Sequence, residues 1–249
     1  MRLNRTLSAF VSTATAVLAA LAITSLAPAA SAAPDDGGVS PAIIGGGNAT
    51  SAPWAARLFV NGRENCSATI IAPLWILTAQ HCVAGAGTYT FRVGSLDQTA
   101  GTLVSAVSIT QHPSVDLALV KINKAVSTTY APLGTTSAVA VNQTVQLYGW
   151  GATCTNQPEI NCQSRYLKVA NTVVTSVNGS DYRGGVAIAV KKGNGIAAGG
   201  DSGGPMFATS PADGKYYQVG VASTSDRATR SNYTAVTRYR PWIKQISGV

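Results

Sequence analysis

Arg57-Leu58-Phe59-Val60-Asn61-Gly62 opens the stretch that decides the fold: a short apolar run ends in Asn-Gly, and the chain returns through Cys66 to Ile71. Asn and Gly both accept the positive φ angles of a type I′ turn, so the segment reads as an antiparallel hairpin. Downstream, Thr88 to Val93 alternates, with Tyr89, Phe91 and Val93 on one face and Thr88, Thr90 and Arg92 on the other. That period of two belongs to a half-buried strand. Short β-branched or aromatic runs recur at 117–122, 145–149, 167–174, 186–190 and 217–222, separated by Gly, Pro, Asn and Ser clusters. Such spacing marks an all-β sandwich or barrel. Only the end of the chain changes period. Tyr239, Trp242, Ile243 and Ile246 stand at i, i+3, i+4 and i+7 with Pro241 in the first turn, the stripe of an amphipathic α-helix.

Residues 1–32 read as a secretory signal peptide, with Arg2 and Arg5 ahead of an apolar run from Val11 to Leu26 and small residues at Ala30-Ser31-Ala32. Ser12, Thr13, Thr15, Thr24 and Ser25 dilute the run and no basic stop-transfer follows, which argues against a membrane anchor. Residues 33–42 carry Asp35-Asp36-Gly37-Gly38 between Pro34 and Pro41 and read as a short propeptide, so order is expected from Ile43. The expected location is extracellular, with no membrane association after the signal is removed. An oxidising compartment favours disulfides, and four cysteines allow three pairings. The local one, Cys66 with Cys82 and Cys154 with Cys162, closes two loops that each contribute roughly 2 to 3 kcal/mol in the chain-entropy model. No spacing suggests zinc, and no metal or other cofactor is expected.

The remaining chain, roughly 200 residues, can bury one large β core or two smaller ones packed together. Its 18 Lys+Arg against 10 Asp+Glu give a net charge of +8. The basic residues are scattered, with Lys191-Lys192 the only adjacent pair and no aromatics interleaved. That distribution describes a soluble basic surface and not a nucleic-acid interface.

Gly200-Asp201-Ser202-Gly203-Gly204-Pro205 offers a serine on a tight backbone. Serine is a weak nucleophile at neutral pH, so acyl transfer needs a base, a group to orient the base, and donors for the developing oxyanion. Of the two histidines, His81 is the better base, because a disulfide through Cys82 would restrain the backbone beside it; His112, in Gln111-His112-Pro113, reads as structural. Asp116 opens the apolar run Asp116-Leu117-Ala118-Leu119-Val120, where an unpaired carboxylate would be costly and an imidazole N–H would satisfy it. The amides of Gly200 and Ser202 can converge on one oxygen.

Thr78-Ala79-Gln80-His81-Cys82, Asp116-Leu117-Ala118-Leu119 and Gly200 to Pro205, in that order, resemble the chymotrypsin/trypsin family of serine proteases. The order His, Asp, Ser excludes the subtilisin and α/β-hydrolase arrangements. The similarity runs from Ile43-Ile44-Gly45-Gly46 to Trp242-Ile243, with further matches at Cys66-Ser67-Ala68-Thr69-Ile70 and Gly149-Trp150-Gly151. The resemblance implies two packed six-stranded antiparallel β-barrels with a C-terminal α-helix outside. The first barrel, residues 43–134, would supply His81 and Asp116, and the second, residues 135–249, the nucleophile Ser202. It also implies a zymogen: cleavage after Ala42 would free Ile43, whose ammonium would insert beside Asp201 and arrange the Gly200 amide. Ser223 aligns with the serine that supports the catalytic carboxylate, and its neighbourhood would pair with substrate backbone as an added strand.

Five positions depart from the family in ways that bear on specificity and activation. Ile196, six residues before the serine, stands where members specific for basic residues carry aspartate, and Ala198 replaces a usual cysteine. Ser225 and Ser231 align with pocket walls that are commonly glycine and should narrow the pocket. The expected enzyme is a secreted serine endopeptidase acting on proteins or peptides, with a small or medium apolar residue at P1. Ala42 replaces the usual Arg or Lys at the activation site, so the activating protease is the enzyme itself or another extracellular one. Two rival readings are an esterase using the same acyl-enzyme and a catalytically weak homologue that uses its charge to bind anionic polymers. Three intact triad members argue against the second.

Overall fold

A computed structural model describes residues 43–249; the signal peptide and propeptide read from residues 1–42 lie outside the described residues. The first barrel consists of β1 (Ala55–Val60), β2 (Arg63–Ala72), β3 (Trp75–Thr78), β4 (Tyr89–Val93), β5 (Thr102–Gln111) and β6 (Ala118–Ile122). They bond in the cyclic order β1-β2-β3-β6-β5-β4, with β4 closing on β1. The second consists of β7 (Thr144–Gly149), β8 (Lys168–Ser180), β9 (Val186–Lys192), β10 (Pro205–Thr209), β11 (Tyr216–Ser225) and β12 (Arg230–Ala235). Their order is β7-β8-β9-β12-β11-β10, with β10 closing on β7. Every pairing in both barrels is antiparallel, and adding six to each label of the first barrel gives the second. The halves thus share a topology without sharing a sequence repeat. Closure leaves neither barrel with a free edge.

Local chemistry accounts for these elements. Asn61 and Gly62 have φ of 51° and 77°, and Val60 pairs with Arg63 across them, so the turn sets the β1–β2 register. In β4 the side chains of Tyr89, Phe91 and Val93 are buried while Thr90 and Arg92 are half-buried, as the alternation requires. Helix α1 (Arg240–Ser247) carries Pro241 in its first turn and is capped by Gly248, whose left-handed backbone lets its N–H return to the Lys244 carbonyl. Ile243 is fully buried, and Tyr239, Trp242 and Ile246 pack against the core beside it. His112 belongs to the same packing. Its ring lies edge-on to Tyr239 and Trp242, and its Nδ1 accepts from the Ser114 and Val115 amides.

Between the barrels Trp54 meets Tyr148 edge-on and tilts against Phe207, with ring centroids 5.0 and 4.3 Å apart. This seam is partly apolar and partly polar. Burying each large apolar side chain contributes about 1.5 to 3 kcal/mol, enough to hold the barrels while loops at the seam remain free to carry polar groups. Among the described residues no helix is long and apolar enough to cross a membrane.

Candidate active site

His81 lies in the 3-10 turn Gln80–Val83 that follows β3. The Cys66–Cys82 disulfide ties this turn to β2, and Gln80 Nε2 donates to Gln111 Oε1 at 2.8 Å, tying it to β5. Asp116 sits in the short connection between β5 and β6, fully buried. His81 Nδ1 is 2.8 Å from Asp116 Oδ2, and the His81 amide donates to Oδ1 at 3.0 Å, so one carboxylate fixes both the ring and its backbone. Ser223 Oγ, from β11 in the second barrel, donates to Oδ2 at 2.6 Å. Burial alone would push the Asp116 carboxyl up. The hydrogen bonds from His81 and Ser223 outweigh it and hold the group below its usual range.

A second carboxylate escaped sequence reasoning. Asp181, nearly buried, accepts the Asp116 amide and Thr234 Oγ1, each at 3.0 Å, and the amides of Arg183 and Gly185 at 2.8 Å. It folds its own turn and holds the Asp116 backbone across the seam. The signal was present in Asp181-Tyr182-Arg183-Gly184-Gly185, a stretch with the composition of an Asx-turn.

Ser202 is clamped by backbone. Its carbonyl accepts the Ser67 amide of β2 at 2.8 Å, Gly203 N donates to Ala222 O at 2.9 Å, and Ala222 N donates to Gly204 O at 2.8 Å. Its Oγ forms no hydrogen bond among the described residues, but Ser202 and His81 line the same cavity of about 430 Å³. Neither the Gly200 nor the Ser202 amide has a protein acceptor among the described residues, so both N–H groups remain available to a ligand.

The Asp201 side chain turns away from the cavity into a polar cradle, its Oδ1 accepting the Gly151 amide at 2.7 Å and its Oδ2 the Ala198 amide at 2.9 Å. A Cβ at Gly149 or Gly151 would collide with this carboxylate, which is the physical reason for the Gly149-Trp150-Gly151 pattern. Burial pushes the Asp201 carboxyl up to about 7, against the pull of the two amides and the charge of Arg57. Ile43 is fully buried in the apolar cluster of the second barrel, and Ile44 pairs with Ile196. Among the described residues no hydrogen bond joins Ile43 to Asp201.

The cavity is lined by small side chains, with Ala197, Ala198 and Gly199 on one side and Ala222 to Ser225 on the other, and with Tyr182 and Arg227 also present. Ser225 Oγ donates to the Ala197 carbonyl at 2.6 Å and accepts from Ser231 Oγ at 3.0 Å. Its side chain therefore spans the two walls. Ile196 and Ser231 are buried and do not line the cavity. Cys154 is bonded to Cys162, closing a loop whose Glu159 pairs with Arg227.

Comparison with known proteins agrees with this geometry. The chain is 29 % identical over 240 residues to human chymotrypsin-like elastase family member 1, covering 82 % of this chain and 92 % of that protein. It is 27 % identical over 229 residues to brachyurin of Leptuca pugilator, covering 83 % and 99 %. An uncharacterized peptidase of Corynebacterium glutamicum is 29 % identical over 249 residues, covering 97 % and 84 %. The family model described as trypsin matches residues 43–243, which takes in both barrels and the first half of helix α1. The chain belongs to the trypsin family of serine peptidases.

Proposed function

We propose that the protein is a secreted serine endopeptidase in which Ser202 attacks the scissile carbonyl, His81 takes and returns the proton, and Asp116 orients His81. The observation that carries this is the hydrogen-bonded series Ser223–Asp116–His81, which opens onto the cavity where Ser202 lies beside two amides without protein acceptors. In the mechanism, Ser202 Oγ loses its proton to His81 Nε2 as it bonds to the carbonyl carbon. Asp116 stabilises the imidazolium formed. The amides of Gly200 and Ser202 receive the oxyanion. His81 then protonates the leaving amine, and water repeats the sequence on the acyl-enzyme. Only interactions that strengthen as charge develops speed the reaction, and the two amides are of that kind.

Activation follows the same seam. Cleavage after Ala42 gives Ile43 a free ammonium, and its side chain is already seated in the second barrel. The new charge pairs with Asp201, whose buried carboxyl otherwise ionises at a cost.

Specificity is for a small or medium apolar P1 residue, because the Ser225–Ala197 hydrogen bond shortens the cavity and, among the described residues, no acidic side chain lines it. The elastase name carried by one relative is consistent with that preference. Discrimination between neighbours that differ by one methylene should amount to about 1 to 3 kcal/mol. The test is a fluorophosphonate probe on the secreted protein, with the label mapped after digestion, followed by a panel of peptide anilides varied at P1. The expected result is a label on Ser202 and the fastest cleavage after Ala, Val or Leu. Failure to label would favour a binding protein that is only weakly catalytic, and a tenfold preference for Arg or Lys would overturn the pocket assignment.

A further inference from the structure

Arg57 is fully buried, yet it lies on the apolar hairpin strand β1 and the mechanism above gives it no part. Burying a guanidinium is expensive, and one nitrogen, Nε, has no partner among the described residues. Desolvation lowers its pKa to about 10 in spite of Asp201 and Glu64 nearby, so it stays charged at neutral pH. Its other nitrogens cross the seam into the second barrel. Nη1 donates to the Gly200 carbonyl at 3.1 Å, and Nη2 donates to Gln163 Oε1 at 3.0 Å.

Gln163 carries the contact onward. With its oxygen held by Arg57, its Nε2 donates to the Gly199 and Glu159 carbonyls, each at 2.8 Å. The Gly199 carbonyl also accepts the Ala152 amide at 2.8 Å, the Gly199 amide donates to Glu159 Oε1 at 3.1 Å, and Ser67 Oγ donates to the Gly200 carbonyl at 2.9 Å. Of the four backbone polar groups of Gly199 and Gly200, three are thereby occupied. The fourth is the Gly200 N–H. In a planar trans peptide the N–H points opposite to the carbonyl, so fixing the Gly199 oxygen on the Gln163 side aims the Gly200 N–H the other way, away from Gln163. Gly200 has φ of 98°, and a Cβ there would strike Gln163 Oε1. The Cys154–Cys162 bond closes the loop immediately before Gln163.

We infer that Gln163, oriented by the buried Arg57, is a positioning residue that aims the Gly200 amide at the oxyanion. The inference rests on the proposed peptidase function and adds to it: the donor geometry is set by a side-chain relay from the first barrel and not by the backbone turn alone.

The experiment compares the secreted, processed protein with Gln163→Met, Arg57→Met and the double variant. Gln163 is only part-buried, so Gln163→Met should fold; Arg57→Lys, which keeps the charge but cannot reach both acceptors, serves if Arg57→Met does not. Active-site concentration is fixed by fluorophosphonate titration. On a peptide anilide, Gln163→Met should lower kcat by about 10- to 100-fold while KM changes less than threefold, since losing a whole oxyanion donor costs 10²–10³. A peptide aldehyde, which forms a tetrahedral adduct, should lose affinity in parallel with kcat. The double variant should be no worse than about twofold below the weaker single one, because the two residues act in series. A kcat within twofold of the parent in Gln163→Met, or multiplicative losses in the double variant, overturns the inference while leaving the peptidase assignment intact. A parent protein that neither labels nor hydrolyses overturns both.

Discussion

Replacing Asp201 with Asn in the chain that still continues through Ala42–Ile43 should change its stability in opposite directions at the two ends of the pH range. Burial pushes the Asp201 carboxyl up to about 7 in the fold, whereas in the unfolded chain it returns to about 4. A raised folded value means that the native state binds more protons than the unfolded state between those limits. The carboxyl's contribution is therefore fully present below about pH 4 and is lost as pH rises through 7. A gap of about three units corresponds to about 4 kcal/mol. Asn has no such dependence, but it carries a fixed cost. The native side chain accepts the Gly151 and Ala198 amides at 2.7 and 2.9 Å, and Asn can accept only one of them. Leaving a buried N–H unpaired costs about 1 to 3 kcal/mol. The variant should then be about 1 to 3 kcal/mol less stable than the parent at pH 4 and more stable by roughly the same amount at pH 8. Urea unfolding followed by fluorescence, with the disulfides intact and Ser202→Ala in both chains to prevent self-cleavage, measures the difference. An equal destabilisation at the two pH values would show that Asp201 does not titrate in this window and would sink the reasoning.

Two further outcomes follow from the site. Ser225→Gly removes the hydroxyl that donates to the Ala197 carbonyl and spans the cavity, so cleavage after Phe relative to Ala should rise at least tenfold by kcat/KM; an unchanged ratio would mean that another group closes the pocket. Ser223→Ala removes the 2.6 Å hydrogen bond to Asp116, a bond to a charged group worth about 1.5 to 3 kcal/mol. Its kcat/KM should fall about tenfold or more, and an unaffected rate would remove Ser223 from the support of Asp116.

Strands built on a β-branched or aromatic run were legible from their residues; β5 and β12, with mostly exposed or polar faces, were not, and neither were the short buried strands β3 and β10. β4 announces itself through Tyr89, Phe91 and Val93, all buried, and the Asn61-Gly62 turn fixes its own hairpin. By contrast β5 has Val104 as its one buried side chain, and β12 is Arg-Ser-Asn-Tyr-Thr-Ala, buried though largely polar. A polar strand can be buried when barrel closure satisfies its backbone and neighbouring side chains satisfy its hydroxyls, as Asp181 does for Thr234. No local pattern encodes that. The site divides similarly. His81, Asp116 and Ser202 stand in motifs, but Arg57, Gln163 and Asp181 act through contacts separated by 36 to 143 residues along the chain. Arg57 was hidden further by its setting, since an arginine heading Leu-Phe-Val reads as the solvent end of a strand.

The placement of those hidden residues has a common cause. Two closed barrels have no edges to join, so the second can register on the first only through side chains and loops at the seam. Apolar contacts such as Trp54 on Phe207 give attraction without direction, whereas buried polar groups give direction because each unpaired one costs free energy. Arg57 to Gly200, Ser67 to Gly200, Ser223 to Asp116 and Asp116 to Asp181 each join one barrel to the other, and each ends on a residue proposed for catalysis or on its immediate partner. A sliding or rotation of the barrels would break several of these bonds together. The same contacts that fix the relative position of the barrels therefore hold His81, Asp116, Gly200 and Ser202 in register, which is why a site divided between two domains can keep the sub-ångström tolerance that acyl transfer requires.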